Sequence, residues 1–479
     1  MTITDSRTET LDAEDLGRLR HALVGECLLP GDAGYERHRS VYNAGIDRRP
    51  AAIVVCLGQS DVQAAVRFAR AQGLPVAVRG GGHSVAGHGT CDDGVLVDLR
   101  LMRGVLVDPG AGRVWVQGGA TLRDLDAQTQ LYGLAVPTGQ VSATGVAGLA
   151  LGGGLGMLQR RFGLTCDNLV EARVVTADGE LVTASAERDP DLLWALQGGG
   201  GNFGVVTDFC FRVHPVGPIM VAGMIAWPIE QAEDVLQLLD RVIADAPEAL
   251  SADIIFQFAP PLAVFPPEML GRHLVGIFVR WSGPVPDGLA VVQAFRSLPG
   301  AVLDLIQPVP LVEVQRMLDP LNPNGNQHRW TGEFIPRMDD EAAGVLAGLG
   351  AALPTPMSII EVIPFNGAVT RVDRDATAFS HREESWLIHI LGQWVDPADG
   401  DRVRAWVRRA KEELGAIGYG GETYLNLISD EDSSDRVDAF WDGDRRVRLR
   451  AVKTRLDPQN VFRFNHNIAP AGEALEERA

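Results

Sequence analysis

The chain has 479 residues, 46% of them hydrophobic and 22% charged, enough apolar material for more than one core, which excludes a disordered or fibrous chain. Its formal charge of -19 argues against a nucleic-acid or anionic-membrane partner, because such interfaces are built on clustered Lys and Arg. Five cysteines form no CxxC, so neither a metal site nor a disulfide framework is expected, and a reducing, cytoplasmic location fits.

The N-terminal MTITDSRTET carries no basic region leading into an apolar stretch, so no signal peptide is expected, and no run of about 18 uncharged apolar residues suggests a membrane span. Residues 1–45 read as a lead-in with a helix over 14–25. From Ala51 the pattern shortens: AAIVVCL is a buried strand, SDVQAAVRFARAQG an amphipathic helix ended by Gly73, and PVAVR a second strand. The glycine-rich loop GGGHSVAGHG follows, then three strand-like runs, GVLVDL, GVLVD and RVWVQGG, and a helix in TLRDLDAQTQLYG. A second glycine tract covers Gly139 to Gly163. LVEARVVTADGELVTAS reads as a hairpin turning at Asp178–Gly179, and a third cluster, GGGGNFG, leads into the strand VVTDFCFRV.

PVGP at 215–218 marks a boundary, beyond which the glycine clusters stop. MVAGMIAW, HLVGIFVRW, MSIIEVIPF and SWLIHILGQW read as long strands and EQAEDVLQLLDRVIAD as a helix, the pattern of an antiparallel sheet backed by helices. After Tyr424 comes a basic helix, an Asp-Pro stop and an Asn-rich strand or loop. The expected organisation is a lead-in (1–45), a cofactor domain (46–217), a substrate domain (218–422), a C-terminal segment completing the cofactor domain (423–470) and a tail (471–479). Only two lysines occur, Lys411 and Lys453, which reads as coding bias. Arg160, Arg161, Arg445 and Arg446 read as solvated faces.

GGGNFG matches G-x-G-x-x-G, but a helix precedes it, a strand follows, and Ile219–Met224 holds no acid, so a nicotinamide-binding Rossmann unit is rejected. A phosphate-binding lysine loop is absent. The glycines suit close backbone approach instead. A pyrophosphate needs several inward N–H groups, and glycine supplies the required backbone angles without a Cβ in the way. Loops 79–89 and 139–156 could together cradle one dinucleotide, or fill tight turns in a crowded fold.

VAVRGGGHSVAG (76–87), TGVAGLALGGGLGMLQRRFGLTCDNLV (144–170) and GGNFGVVT (200–207) resemble the FAD domain of the vanillyl-alcohol oxidase / p-cresol methylhydroxylase (PCMH) flavoproteins. YLN (424–426) and RLDPQNVFRFNHNIAP (455–470) resemble the ending of the berberine-bridge-enzyme-like branch, nearest its bacterial nicotine-oxidase-like members. The resemblance implies an α+β chain, a PCMH-type FAD-binding fold plus a substrate domain, with the flavin ring between them. It implies FAD linked through one 8α-histidyl bond to His83. It also implies cofactor contacts from Arg79, Gly80, Gly81, Gly82, Ser84, Gly87, Val141, Ser142, Gly145, Gly148, Gly152, Gly153, Gly156, Val206, Asn426, Asn465 and Asn467. Some members carry a second, cysteinyl link, where this chain has Val141; the position that gates dioxygen is Thr144, nearly isosteric with the permissive valine.

Tyr424 is then the expected proton acceptor above the flavin. Its pKa would have to fall, through nearby arginines or the dipoles of Asn426, Asn465 and Asn467. On SWLIHILGQW, alternation puts Leu387, His389, Leu391 and Gln393 on one face, and the resemblance turns that face toward substrate. His389 and Gln393 are candidates to orient it, His389 also to act as base, with Glu361, Arg329 and Trp330 as weaker cavity candidates. The residues alone leave other readings open: His83 bonded to a phosphate or carbonyl or paired with His88 on a metal, Tyr424 a core tyrosine, His389 a satisfied sheet histidine. The resemblance implies a flavin oxidase acting on a C–H beside oxygen or nitrogen of a small organic molecule (an alcohol, a sugar or a secondary metabolite), with dioxygen as acceptor. The alternatives are a dehydrogenase with another acceptor and a flavoprotein that sequesters its ligand; none of them sets the oligomeric state.

Overall fold

In the computed structural model, residues 11–472 are described except 262, 263, 266, 420, 421, 430–433 and 442. The expected 471–479 tail therefore lies almost wholly outside the described residues. The first expected helix runs Ala13–Ala22, where the Asp12 side chain accepts from the N–H groups of Glu14 and Asp15. The next, Gln59–Ala71, buries Val62, Ala65, Val66, Phe68 and Ala69 on one stripe, and Gly73 (φ +64°) follows its end. It covers a four-stranded sheet ordered Glu26–Leu28, Ala52–Val55, Val95–Asp98, Val76–Arg79, whose last three strands are parallel.

A five-stranded antiparallel sheet adjoins it, ordered Val105–Asp108, Arg113–Gln117, Val205–Arg212, Leu169–Val175, Leu181–Ser185. The expected hairpin is the last pair, with Gly179 at φ +74° in its turn. TLRDLDAQTQLYG divides into an α-helix, Leu122–Thr129, started by a Thr121/Asp124 capping box, and a 3₁₀ turn ended by Gly133.

The third sheet has eight strands, all antiparallel. Its main path is Leu303–Asp304, Ile219–Pro228, His273–Trp281, Leu250–Phe258, Ile359–Phe365, Ser385–Trp394 and Gln327–Ile335, and Gln307–Pro310 pairs with Ile219–Pro228. Strand alternation sorts its faces. Ile254, Ile277, Ile360, Ile388 and Ile390 meet the apolar stripes of helices Ala232–Asp245, Asp340–Ala351 and Gly400–Ile417. Ile255, Phe278, Ile359 and Leu391 point the other way, against Tyr42, Val85, Met157 and Leu158 of the glycine-loop half. Each such side chain, fully buried, contributes roughly 1.5–3 kcal/mol.

One reading of charge is corrected here. Arg160 and Arg445 are not solvated: they are 4% and 6% exposed. Arg160 donates to the carbonyls of Leu250, Ile243 and Ala246 and to Asn366, tying the second glycine tract to the large sheet. Lys453, one of the two lysines, is fully buried in the C-terminal helix Gly443–Leu456 and paired with Asp457.

Candidate active site

Glycine loops, C-terminal segment and large sheet converge on one cavity of about 360 Å³, within the range of ligand sites. Loops 80–89 and 139–156 touch backbone to backbone. A Cβ on Gly81 would stand 2.3 Å from the Gly145 nitrogen, and one on Gly145 2.3 Å from the Gly81 nitrogen, so only glycine fits either position. Gly148 and Gly201, by contrast, border the cavity with nothing within 4 Å of a Cβ position. That is the cradle a large, backbone-bound cofactor requires, and the residues present fit FAD.

Of the expected cofactor residues, Arg79, Gly80, Gly81, Gly82, His83, Ser84, Val141, Gly145, Gly148, Gly152, Val206, Asn426 and Asn465 line this cavity, as does Thr144. Gly87, Ser142, Gly153, Gly156 and Asn467 do not. Gly87 abuts Ile46, Gly153 packs on Phe379 and Tyr424, and Gly156 lies against the Thr138 carbonyl. Ser142 donates its N–H and Oγ–H to Asp319 at 2.8 and 2.6 Å. The Arg79 guanidinium donates to Asp98 (2.7 Å), to the Ser40 carbonyl (2.9 Å) and to the His38 carbonyl. The terminal nitrogens of Arg79 are thus taken up by Asp98 and two backbone carbonyls.

His83 lies in the first loop with its ring stacked on Tyr42, centroids 4.3 Å apart at 13°. The other face of Tyr42 stacks on His328 at 4.3 Å and 21°. Burial pushes the His83 pKa down to about 4, so its imidazole is neutral, the form in which a ring nitrogen is nucleophilic. The His88 ring meets that of His466 edge-on, centroids 4.7 Å apart.

Tyr424 also lines the cavity. Its oxygen accepts from the Gly154 N–H at 2.7 Å and from Asn426 Nδ2 at 2.8 Å. The expected fall in its pKa does not occur: burial pushes the phenol well above its usual value, and these two donors offset only part of that. Asn465 donates instead to the carbonyls of Gly201 and Phe462, and Asn467 lies outside the lining. At neutral pH Tyr424 is a phenol.

His389 and Gln393 are 5% and 0% exposed on the expected face, but only His389 reaches the cavity; Gln393 donates to the Leu321 carbonyl at 3.4 Å. His389 Nδ1 lies 3.5 Å from Glu361 Oε2, and Gln140 Nε2 donates to Glu361 Oε1 at 2.8 Å. Gln140 accepts in turn from Arg280, which is paired with Asp253. Trp330 lines the cavity and Arg329 does not. The Asp253–Arg280 pair was missed, although a lone acid and a lone arginine inside two apolar strands are a visible signal. Tyr42 and His328 offer none.

A profile described as "FAD binding domain" matches residues 50–185, and one described as "Berberine and berberine like" matches 423–469. The chain is 31% identical to (R)-6-hydroxynicotine oxidase of Paenarthrobacter nicotinovorans, over 94% of this chain and 98% of that one. It is 38% identical to the FAD-linked oxidoreductase pgmH of Aspergillus terreus, over 96% and 97%. Among solved structures, 6-hydroxy-D-nicotine oxidase from Arthrobacter nicotinovorans superposes with a TM-score of 0.84 at 27% identity, covering 93% of this chain and 98% of that one. The BBE-like 1 protein of Physcomitrella patens shares the fold, with a TM-score of 0.83 at 23% identity over 93% and 97%.

Proposed function

The chain belongs to the berberine-bridge-like family of FAD-linked oxidoreductases, and we propose that it is an oxidase, removing hydride from a carbon that bears oxygen or nitrogen in a small organic molecule. In this reading residues 46–217 and 423–470 hold the cofactor and 218–422 the substrate. When bound in this cavity, FAD would supply the hydride acceptor, with dioxygen as the oxidant that restores it and becomes hydrogen peroxide. The chain's own residues handle the proton. For an alcohol, the carbon bearing the hydroxyl becomes a carbonyl carbon, and the hydroxyl proton goes to His389 Nε2.

The observation that carries this assignment is the His389–Glu361 dyad on the cavity wall, with Nε2 unpartnered among the described residues. A base oriented by a carboxylate at its far nitrogen is a standard arrangement for proton abstraction. Tyr424, a phenol whose oxygen already accepts two hydrogen bonds, keeps its O–H as a donor to whatever lies above it.

His83 would hold the flavin through a single bond, supported by its neutral imidazole and its clamped ring. His83→Ala is expected to release all yellow colour to the supernatant on acid precipitation, while the parent keeps it in the pellet. Colour released by the parent would refute the link. Anaerobic titration with alcohols, sugars and cyclic amines tests the oxidase reading. The expected result is bleaching by one class and rapid return of the flavin absorbance on admitting air; slow return would point to a dehydrogenase. Five free, buried cysteines support a reducing, cytoplasmic setting, and no described helix is long and apolar enough to cross a membrane.

A further inference from the structure

The imidazole of His83 is oriented by a ring face, not by a hydrogen bond. A working histidine is ordinarily fixed through the nitrogen it does not use. Among the described residues no group bonds to either ring nitrogen of His83. What meets the ring is Tyr42, stacked on it and backed in turn by His328, with Trp330 closing on Tyr42 edge-on at 6.0 Å. Tyr42 and His83 line the cavity; His328 stands behind them.

The backbone around this stack is fastened on both sides of His83. The Tyr42 N–H donates to the Gly82 carbonyl at 3.0 Å, immediately before the histidine. Asn43 Nδ2 donates to the Val85 carbonyl at 2.8 Å, just beyond it, and to the His328 carbonyl at 3.2 Å. The His328 N–H returns a bond to Asn43 Oδ1 at 3.0 Å. Arg79, which opens the glycine loop, holds the Ser40 and His38 carbonyls. The end of the expected lead-in is therefore built into the site. Tyr42 and Asn43 are 3% and 4% exposed, so this contact is interior packing. The Tyr42 hydroxyl contributes little, reaching Asn322 Oδ1 only at 3.5 Å.

We propose that Tyr42 is the positioning residue for cofactor attachment: backed by His328, its ring face sets the plane of the His83 imidazole while the C–N bond to FAD forms. This rests on the histidyl link proposed above and adds how the chain brings that link about. The lone pair of an imidazole nitrogen lies in the ring plane, so the plane decides where it points. The outer torsion of a histidine is broad, and a stacked ring narrows it before the bond forms. In the net reaction one C–H of the flavin 8α-methyl group and the imidazole N–H are broken and one C–N bond is made. The two protons and the electron pair released pass to dioxygen, giving hydrogen peroxide.

The test is the ratio of linked to released flavin on acid precipitation, in holoprotein purified soon after induction, before attachment is complete. Tyr42→Leu, which removes the ring face, should lower that ratio about threefold or more, the range a lost aromatic stack gives, while total FAD bound stays within about twofold. Tyr42→Phe and Tyr42→Trp keep a face and should keep the parent's ratio. A merely structural role would lower total FAD and the urea midpoint together and leave the ratio alone. His328→Ala reaches the stack from its outer side and should lower the ratio in the same direction. It decides the matter for a Tyr42→Leu protein that does not fold. A ratio unchanged in Tyr42→Leu or in His328→Ala, or a loss in Tyr42→Phe as large as in Tyr42→Leu, overturns the role and leaves the link standing. A parent that releases all its flavin removes the link, and this role with it.

Discussion

Replacing His389 by glutamine should slow anaerobic flavin reduction about 10²–10⁴-fold, the usual contribution of a positioned general base. Glutamine keeps the length and the capacity to hydrogen-bond, so the substrate should still seat and its dissociation constant should move much less than the rate. What glutamine cannot do is take a proton at neutral pH. Glu361→Gln should cost less, because it leaves the base and removes only the carboxylate that fixes its tautomer. Tyr424→Phe is the counter-experiment. If the phenol is a donor, as its burial and its two incoming hydrogen bonds argue, its loss should slow reduction less than the loss of His389. Stopped-flow reduction of the three variants ranks them. A larger loss in Tyr424→Phe than in His389→Gln would move the proton to the phenol and defeat the assignment.

That ranking reverses the expectation from sequence, and the reason is physical. A tyrosine in a YxN motif is legible at once; the sign of its pKa shift is not, because it depends on what the folded chain puts around the oxygen. Arginines or the dipoles of Asn426, Asn465 and Asn467 were expected to lower it; the Asn426 amide and a backbone N–H are found, and burial outweighs them. The same limit hid Arg160, whose partners are mostly backbone carbonyls, groups that every residue carries. By contrast, period-two alternation put Leu387, His389 and Leu391 on the correct face of Ser385–Trp394, because a strand edge-bonded on both sides has no freedom to rotate. The hairpin at Asp178–Gly179 and the glycine contact of the two loops were legible because each is a local demand on backbone angle or space. The stack of Tyr42 between His83 and His328 was not, since it joins three distant segments by ring faces alone.

Lys453→Met should destabilise the protein by about 3–5 kcal/mol, the usual cost of removing one partner of a buried ion pair. Lys453 and Asp457 are both fully buried. Among the described residues the ammonium donates to Asp457 Oδ2 at 2.7 Å, the Phe462 carbonyl at 2.9 Å and the Asn202 carbonyl at 3.0 Å. Asp457 also accepts from the N–H groups of Val461 and Phe462 at 2.8 and 2.9 Å. One side chain thus joins the C-terminal helix, the Asn-rich segment after it and the third glycine cluster; Asn202 follows the cavity residue Gly201, and Phe462 itself lines the cavity. Lys453→Arg should fail too, because a planar fork cannot replace a compact point donor to three acceptors in this space. That accounts for a lysine here in a chain whose cations are almost all arginine. Methionine of similar length leaves Asp457 charged and uncompensated. Adding Asp457→Asn removes the charge while an amide oxygen still accepts from Val461 and Phe462, so the double variant should recover more than half of the loss. The urea midpoint and the flavin retained after gel filtration measure both effects. A Lys453→Met protein as stable as its parent, or a double variant no better than the single one, would show that this ion pair does not hold the C-terminal segment against the cofactor cradle.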